Sequence, residues 1–308
     1  MGIISRQYIK QLVGRYDREV GVPYFSSDDF DGLIEEAFAF INSRGVEIHY
    51  FFYYYPNHRT DKIVLFCPGI GPGHIAYFKE IEYLARHGYK VLTLDYTGCG
   101  ESKGKYLASL NMPTLDVTEL LDYLALKEEV VLFGHSLGAF TALNTINLRD
   151  DVSKAIIMSG FLSVPSLINT SITSKFVSSR ILKYEKKLLP TYYSLDNIEY
   201  LKKTKDHIYI IHSIDDKMVP CIFPFLEKAG VDNNHLKTLK TDHKNHNPDY
   251  QIESVNYFNE VFDKYMELIK KKVIKTDEDK INYFKDVSLE KMTKQDEDVL
   301  GSIIDFIN

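Results

Sequence analysis

From residue 62 onward, short apolar runs recur along the chain with amphipathic stretches between them. Ile63-Val-Leu-Phe66, Val91-Leu-Thr-Leu94, Val130-Val-Leu-Phe133, Ala155-Ile-Ile-Met158 and Ile208-Tyr-Ile-Ile211 each read as a strand buried on both faces. Helical spacing follows most of them, near residues 76–87, 114–126, after Ser136 and near 223–229. A further strand at 236–239 precedes a long helix from about 252 to 271. Upstream, 35–41 and 47–55 are two β runs around the turn signal Asn42-Ser-Arg-Gly45, which predicts a hairpin. Nearer the start, Ile9, Leu12, Val13 and Tyr16 fall at helical spacing, so an N-terminal helix is expected to pack on the rest. Buried strands alternating with helices imply an α/β fold: a mostly parallel central sheet with helices on both faces and an antiparallel edge from the hairpin.

Two segments break this rhythm. Residues 161–205 are too long for a plain connection and mix apolar, Ser/Thr and Lys/Tyr positions. They predict a small helical cap over the C-terminal ends of the strands. Residues 273–308 are a charged extension that opens on Thr276-Asp-Glu-Asp279, a helix-capping signal. Ile281, Phe284, Leu289, Met292, Val299, Leu300, Ile303, Ile304 and Ile307 suit two short amphipathic helices there. The expected organisation is a helical segment at 1–30, an α/β domain at 31–272 carrying the cap, and a helical extension at 273–308. The terminal extensions are also candidates for a contact between copies of the chain.

Composition narrows the function. A net charge of −6 gives no electrostatic case for nucleic acid or an anionic membrane surface. No apolar run approaches the ~20 residues of a membrane helix. The start, Met1-Gly-Ile-Ile-Ser-Arg6, lacks the sustained apolar stretch of a signal peptide, and Arg6 stands where a myristoylation signal wants a hydroxyl. The cysteines, Cys67, Cys99 and Cys221, are three in number and without metal-ligand spacing. They suit reduced thiols in a cytoplasmic protein with no metal.

The chemistry centres on Gly134-His-Ser-Leu-Gly138, between an apolar strand and a helical run. It fits the G-x-S-x-G nucleophile elbow, in which a serine sits on a sharp strand-to-helix turn. Such a turn needs glycines where side chains would collide, and it sets the hydroxyl beside unpaired helix N–H groups. The competing reading is a glycine-rich turn with an inert serine. Ser136 as a nucleophile needs a base, and the base needs an orienting acid. Asp215 and Asp216 both lie just past the strand at 207–211, at the edge where parallel sheets place their chemistry. His243 and His246 both follow the last strand. Neutral imidazole suits a base near neutral pH.

In their order, these segments resemble the α/β-hydrolase superfamily over roughly residues 35–272. The resemblance implies an α/β-hydrolase fold and a catalytic triad. Family members commonly place the acid four residues before the proline of a Val-Pro pair; with Pro220 here, that implies Asp216 over Asp215. His246-Asn-Pro248 resembles the family's His-Asn start of the final helix and implies His246 over His243. Cys67-Pro-Gly-Ile-Gly-Pro-Gly-His74 resembles the His-Gly-x-Gly oxyanion loop, with Ile70 and Leu137 as the backbone N–H donors. Cys67-Pro68 depart from that pattern, where members carry an apolar residue and His. Asp95-Tyr-Thr-Gly-Cys-Gly-Glu-Ser102 resembles the family's structural glycine turn.

The expected function is a serine hydrolase that cleaves a small carboxylic ester or related acyl compound through an acyl-enzyme, without a cofactor. The rivals are a serine aminopeptidase, a thioesterase, an acyltransferase and a catalytically silent binding protein. Cys67 and Cys99 read as inert thiols; His74 and His135 could line the pocket, but the favoured reading of His135, inside the elbow, is support of its packing.

Overall fold

The computed structural model describes residues 3–308. Met1 and Gly2, on which part of the N-terminal reading falls, lie outside the described residues. Eight strands form one sheet in the order β1-β2-β4-β3-β5-β6-β7-β8. The antiparallel edge is β1 (Ile34–Ile41) with β2 (Glu47–Tyr54), and β2 pairs antiparallel with β4 (Lys90–Leu94). From β4 the order runs through β3 (Lys62–Cys67), β5 (Glu129–His135), β6 (Lys154–Met158), β7 (His207–Ser213) and β8 (Leu236–Thr241), all parallel. Every residue of β3 is buried, as its unbroken apolar run requires of a central strand covered twice.

One face is covered by α3 (Met112–Leu124), α4 (Leu137–Leu148) and α9 (Phe223–Ala229). The other is covered by α2 (Phe78–Arg86) and by a helix from the far end of the chain. The cap comprises α5 (Val164–Ser171), α6 (Lys175–Leu188), α7 (Pro190–Tyr193) and α8 (Asn197–Lys203). It is tied down by Glu185 of α6, which is fully buried. Its carboxylate accepts from the Tyr8 hydroxyl at 2.6 Å, the Ser109 hydroxyl at 2.6 Å and the Leu110 N–H at 3.2 Å. Not all of the cap's apolar positions face inward, for Phe176 and Leu188 are exposed.

Two expectations change. Helix α1 (Ile3–Gln11) stops before Leu12, Val13 and Tyr16. The backbone beyond it is taken by tertiary partners: Gly14 O accepts from Leu107 N at 2.8 Å, Val13 O from Ala108 N at 2.9 Å, and Tyr16 N donates to Gly98 O at 2.9 Å. Val13 is buried all the same. After α10 (Ile252–Lys270) come three helices rather than two: α11 (Asp277–Phe284), α12 (Leu289–Met292) and α13 (Glu297–Ile307). Helices α10 and α11 share a small cluster of their own around Val261, Tyr265 and Phe284.

Helix α13 instead lies on the sheet. Asp296 caps it by accepting from the N–H groups of Asp298 and Val299, each at 3.1 Å. Val299, Leu300, Ile303 and Ile307 then recur at helical spacing and are buried against β3, β5, β6 and β7. Each such burial stabilises by about 2 kcal/mol, so packing outweighs the ~1 kcal/mol of the cap. At its end, the Ile307 carbonyl accepts from Lys62 at 2.7 Å and Lys154 at 3.2 Å, cations where a helix C-terminus favours them. The extension is therefore one layer of the sheet's own core.

Candidate active site

Ser136 sits between β5 and α4 with φ 57° and ψ −119°, a left-handed conformation that non-glycine residues adopt only under constraint. Close backbone approach explains both flanking glycines. A Cβ on Gly134 would stand 2.1 Å from the Gly138 carbonyl oxygen, and one on Gly138 would stand 1.8 Å from that of Cys67. The elbow is thus wedged against the end of β3. Leu137 is the first residue of α4, whose first-turn N–H groups have no intrahelical acceptor. Ser136 and His246 are 9% and 8% exposed, so the pair is largely withdrawn from bulk water.

Of the two candidate acids, Asp216 faces the base. Its Oδ2 accepts from His246 Nδ1 at 2.7 Å and from His212 Nε2 at 3.1 Å. Its Oδ1 accepts from the N–H groups of Met218 and Val219, at 2.8 and 2.9 Å. Burial opposes its charge, but the imidazole and backbone donors outweigh it and hold the carboxyl well below the usual carboxylate range. Asp215 is used otherwise: it accepts from the Ser213 hydroxyl and, at 3.2 Å, from the Asn245 N–H. Of the two histidines, His243 is exposed and lies 3.6 Å from Asp242. His243 and Asn245 have φ of 59° and 47°, so the loop turns sharply on either side of Lys244 before it presents His246.

His135 lies beside the base. Its Nε2 is 2.8 Å from the main-chain carbonyl of His246, and its Nδ1 is 3.0 Å from the Tyr77 hydroxyl. A carbonyl only accepts, so His135 carries its proton on Nε2 and Tyr77 donates to Nδ1. Burial first, then the neighbouring His246, push its pKa down to about 3.

The loop after β3 reaches Ser136. A Cβ on Gly69 would lie 3.3 Å from Ser136 Cβ and 2.2 Å from the Tyr77 hydroxyl. The following Ile70 is half-buried. His74, further along, is committed to structure. Its main-chain N–H and Nδ1 lie 2.8 and 2.9 Å from Asp95 Oδ1, and its ring lies 3.9 Å from that of Phe51. Asp95 Oδ2 accepts from Glu101 N–H at 2.8 Å, so this buried carboxylate joins the loop after β3 to the glycine turn. Cys67 and Cys99 are buried, and burial pushes both thiols up, away from nucleophilic thiolate.

Between the cap and the acid loop, Phe161, Leu162 and Leu167 meet Pro220, Ile222 and Phe225 around an apolar crevice. A larger cavity of about 510 Å³ lies beside the loop after β3, bounded by Arg18, Glu35, Tyr53 and His74, and none of Ser136, Asp216 or His246 lines it. Among the described residues no group of three or more His, Cys, Asp or Glu is placed to hold a metal ion. Nor is any helix among them long and apolar enough to cross a membrane.

Two participants went unread in the sequence. Tyr77 carries no motif. His212 closes an apolar strand, and a histidine ending a buried run is the one signal that could have singled it out.

The model of the family described as serine aminopeptidase, S33 matches residues 58–223. A stretch of 105 residues is 36% identical to an epoxide hydrolase of Caballeronia sordidicola, covering 33% of this chain and 31% of that protein. Another of 100 residues is 31% identical to a putative chloroplastic methylesterase of Arabidopsis thaliana, covering 32% of this chain and 25% of that one. The match therefore spans under a third of the length of either curated relative. The fold is similar to that of an esterase from Pyrococcus furiosus, with a TM-score of 0.59 at 17% identity over 85% of this chain and 97% of the other.

Proposed function

The chain belongs to the serine aminopeptidase, S33 family of the α/β-hydrolase superfamily, and from that premise we propose that it is a serine hydrolase acting on a carboxylic ester. Ser136 attacks the acyl carbonyl. His246 takes the serine proton and passes it to the leaving alcohol. Asp216 holds the imidazole through Nδ1 and stabilises its charged form. The developing oxyanion is met by the N–H groups of Leu137 and Ile70. Water, activated by the same histidine, then releases the acid from the acyl-enzyme. No cofactor has a part in this scheme.

The observation that carries the reading is the 2.7 Å bond between His246 and Asp216, in a fold that sets Ser136 on a strained elbow. A catalytically silent protein has no need to retain that strain. The apolar crevice between cap and acid loop supports an acyl group of modest size, and the esterase and methylesterase names of similar proteins support an ester. The family description favours a second reading, an aminoacyl amide as substrate. The free thiols of Cys67, Cys99 and Cys221 support work in a reducing cytoplasm.

The test is labelling with a fluorophosphonate, followed by turnover of nitrophenyl esters of increasing chain length against aminoacyl amides. Ser136→Ala should abolish labelling. His246→Ala should lower turnover at least about a thousandfold while His243→Ala leaves it intact. Folded protein that does not label would sink the proposal, and preference for amides would replace the ester with the second reading.

A further inference from the structure

The loop that carries His246 is gripped from both sides by the C-terminal part of the chain. Two residues before the histidine, Lys244 is only 6% exposed. Its ammonium donates to the Tyr250 carbonyl and, at 2.5 Å, to the Asp296 carboxylate. Three residues after the histidine, the Asp249 carbonyl accepts from Asp296 N–H at 2.7 Å. Tyr250 then forms an antiparallel bridge with Gln295, and Gln251 N–H donates to Lys294 O at 2.9 Å. Residues 294–296 thus run as a short strap along 249–251.

The strap has a firm anchor. Asp296 is also the cap of α13, and α13 is packed into the sheet. Contacts run unbroken from the sheet core through α13 and Asp296 to both flanks of the histidine. What they hold is constrained: His243 and Asn245 both take positive φ, and such turns persist only where the surroundings enforce them. The buried ammonium of Lys244 is equally dependent, since without Asp296 it would be left short of its charged partner.

We infer that Lys244 and Asp296 are positioning residues for His246, and that the strap they anchor holds the histidine loop in the one form that keeps the imidazole on Asp216 and beside Ser136. This rests on the reading of those three residues as a triad. Integrity of the site then depends on residues some 50 positions downstream of the base, and misplacement near 1 Å is enough to cost about a hundredfold in rate.

The test uses the full chain. Asp296→Asn keeps the shape and a cap acceptor but removes the charge, Lys244→Met removes the other partner, and Ser302→Ala serves as a control. Ser302 bonds to the Tyr209 hydroxyl at 2.9 Å, on the α13–sheet contact and away from the strap. Asp296→Asn should lower kcat on p-nitrophenyl butyrate about 10- to 100-fold with KM within about twofold, and slow fluorophosphonate labelling in parallel. Lys244→Met should do at least as much. Ser302→Ala should lower the melting temperature and leave kcat unchanged. Folded Asp296→Asn that labels at the wild-type rate overturns the inference alone. Labelling that survives Ser136→Ala overturns the triad reading and this inference with it.

Discussion

His135 donates from Nε2 to the main-chain carbonyl of His246, 2.8 Å away, so the residue before the candidate nucleophile holds the backbone of the candidate base. One bond thereby ties the elbow that carries Ser136 to the loop that carries His246. Neutral His135 donates from Nε2 and accepts from the Tyr77 hydroxyl at Nδ1; protonation would turn Nδ1 into a donor and lose that second bond, and burial disfavours the charge.

That burial predicts a pH dependence of stability. In the unfolded chain His135 titrates near 6.5, and in the native protein near 3. Between those values the unfolded state binds the extra proton, so stability falls as pH falls, by about 1.4 kcal/mol per pH unit from this group. Asp216, depressed by its donors, adds a further loss below its unfolded value of 3.8. Urea unfolding at pH 7 and pH 5 checks the first part. His135→Phe should be less stable at pH 7 by about 1–3 kcal/mol, since the His246 carbonyl and Tyr77 hydroxyl lose partners. Its stability should then depend less steeply on pH; an unchanged slope would remove His135 as the source.

A second prediction concerns the two imidazoles on one carboxylate. Asp216 Oδ2 divides its accepting capacity between His246 and His212. His212→Leu removes one of the two side-chain donors that orient this carboxylate, so kcat should fall about three- to tenfold with KM little changed. His212→Gln, which keeps an N–H donor, should restore most of it. Equal rates for all three proteins would show that His212 does no more than pack.

The glycines make a third prediction, because two neighbours of the elbow differ in what a methyl group would strike. On Gly138 it meets the Cys67 carbonyl, which is backbone and cannot move without β3. Gly138→Ala should cost roughly 3 kcal/mol or more and fold poorly. On Gly69 it meets mainly the Tyr77 hydroxyl, the end of a side chain, and Ser136 Cβ at 3.3 Å. Gly69→Ala should fold and yet label slowly, as the loop is pushed off the nucleophile. Thermal melts beside labelling rates separate the two. Normal labelling by Gly69→Ala would mean that the loop has no part in the chemistry.

Much of this arrangement is legible in the chain because it is local. The elbow is spelled out by five consecutive residues, and β3, β5, β6 and β7 announce themselves as apolar runs because both their faces are covered. The segment after α1 misleads for the opposite reason: Leu12 to Tyr16 keep a helical spacing, while the carbonyls of Val13 and Gly14 are claimed by Ala108 and Leu107 and the backbone of Tyr16 by Gly98 and Gly100, all far along the chain. The same holds for Tyr77, His135 and His212, whose partners are set by folding and leave no spacing to read. The C-terminal helices show amphipathic faces in sequence, but nothing local says that α13 covers the sheet while α10 stands aside with α11.

That placement of α13 has a consequence for how the protein is made. Strands β3, β5, β6 and β7 leave the ribosome before α13, which shares the cover of their second face with α2, so part of that face stands bare until α13 arrives. The bond between Lys62 and Ile307 closes across 245 residues, a contact of very high sequence separation. A nascent or truncated chain that already carries Ser136, Asp216 and His246 would still expose this face to chaperones, proteases and other copies of itself. Concealment of this face of the sheet thus waits on α13, made long after the strands it covers.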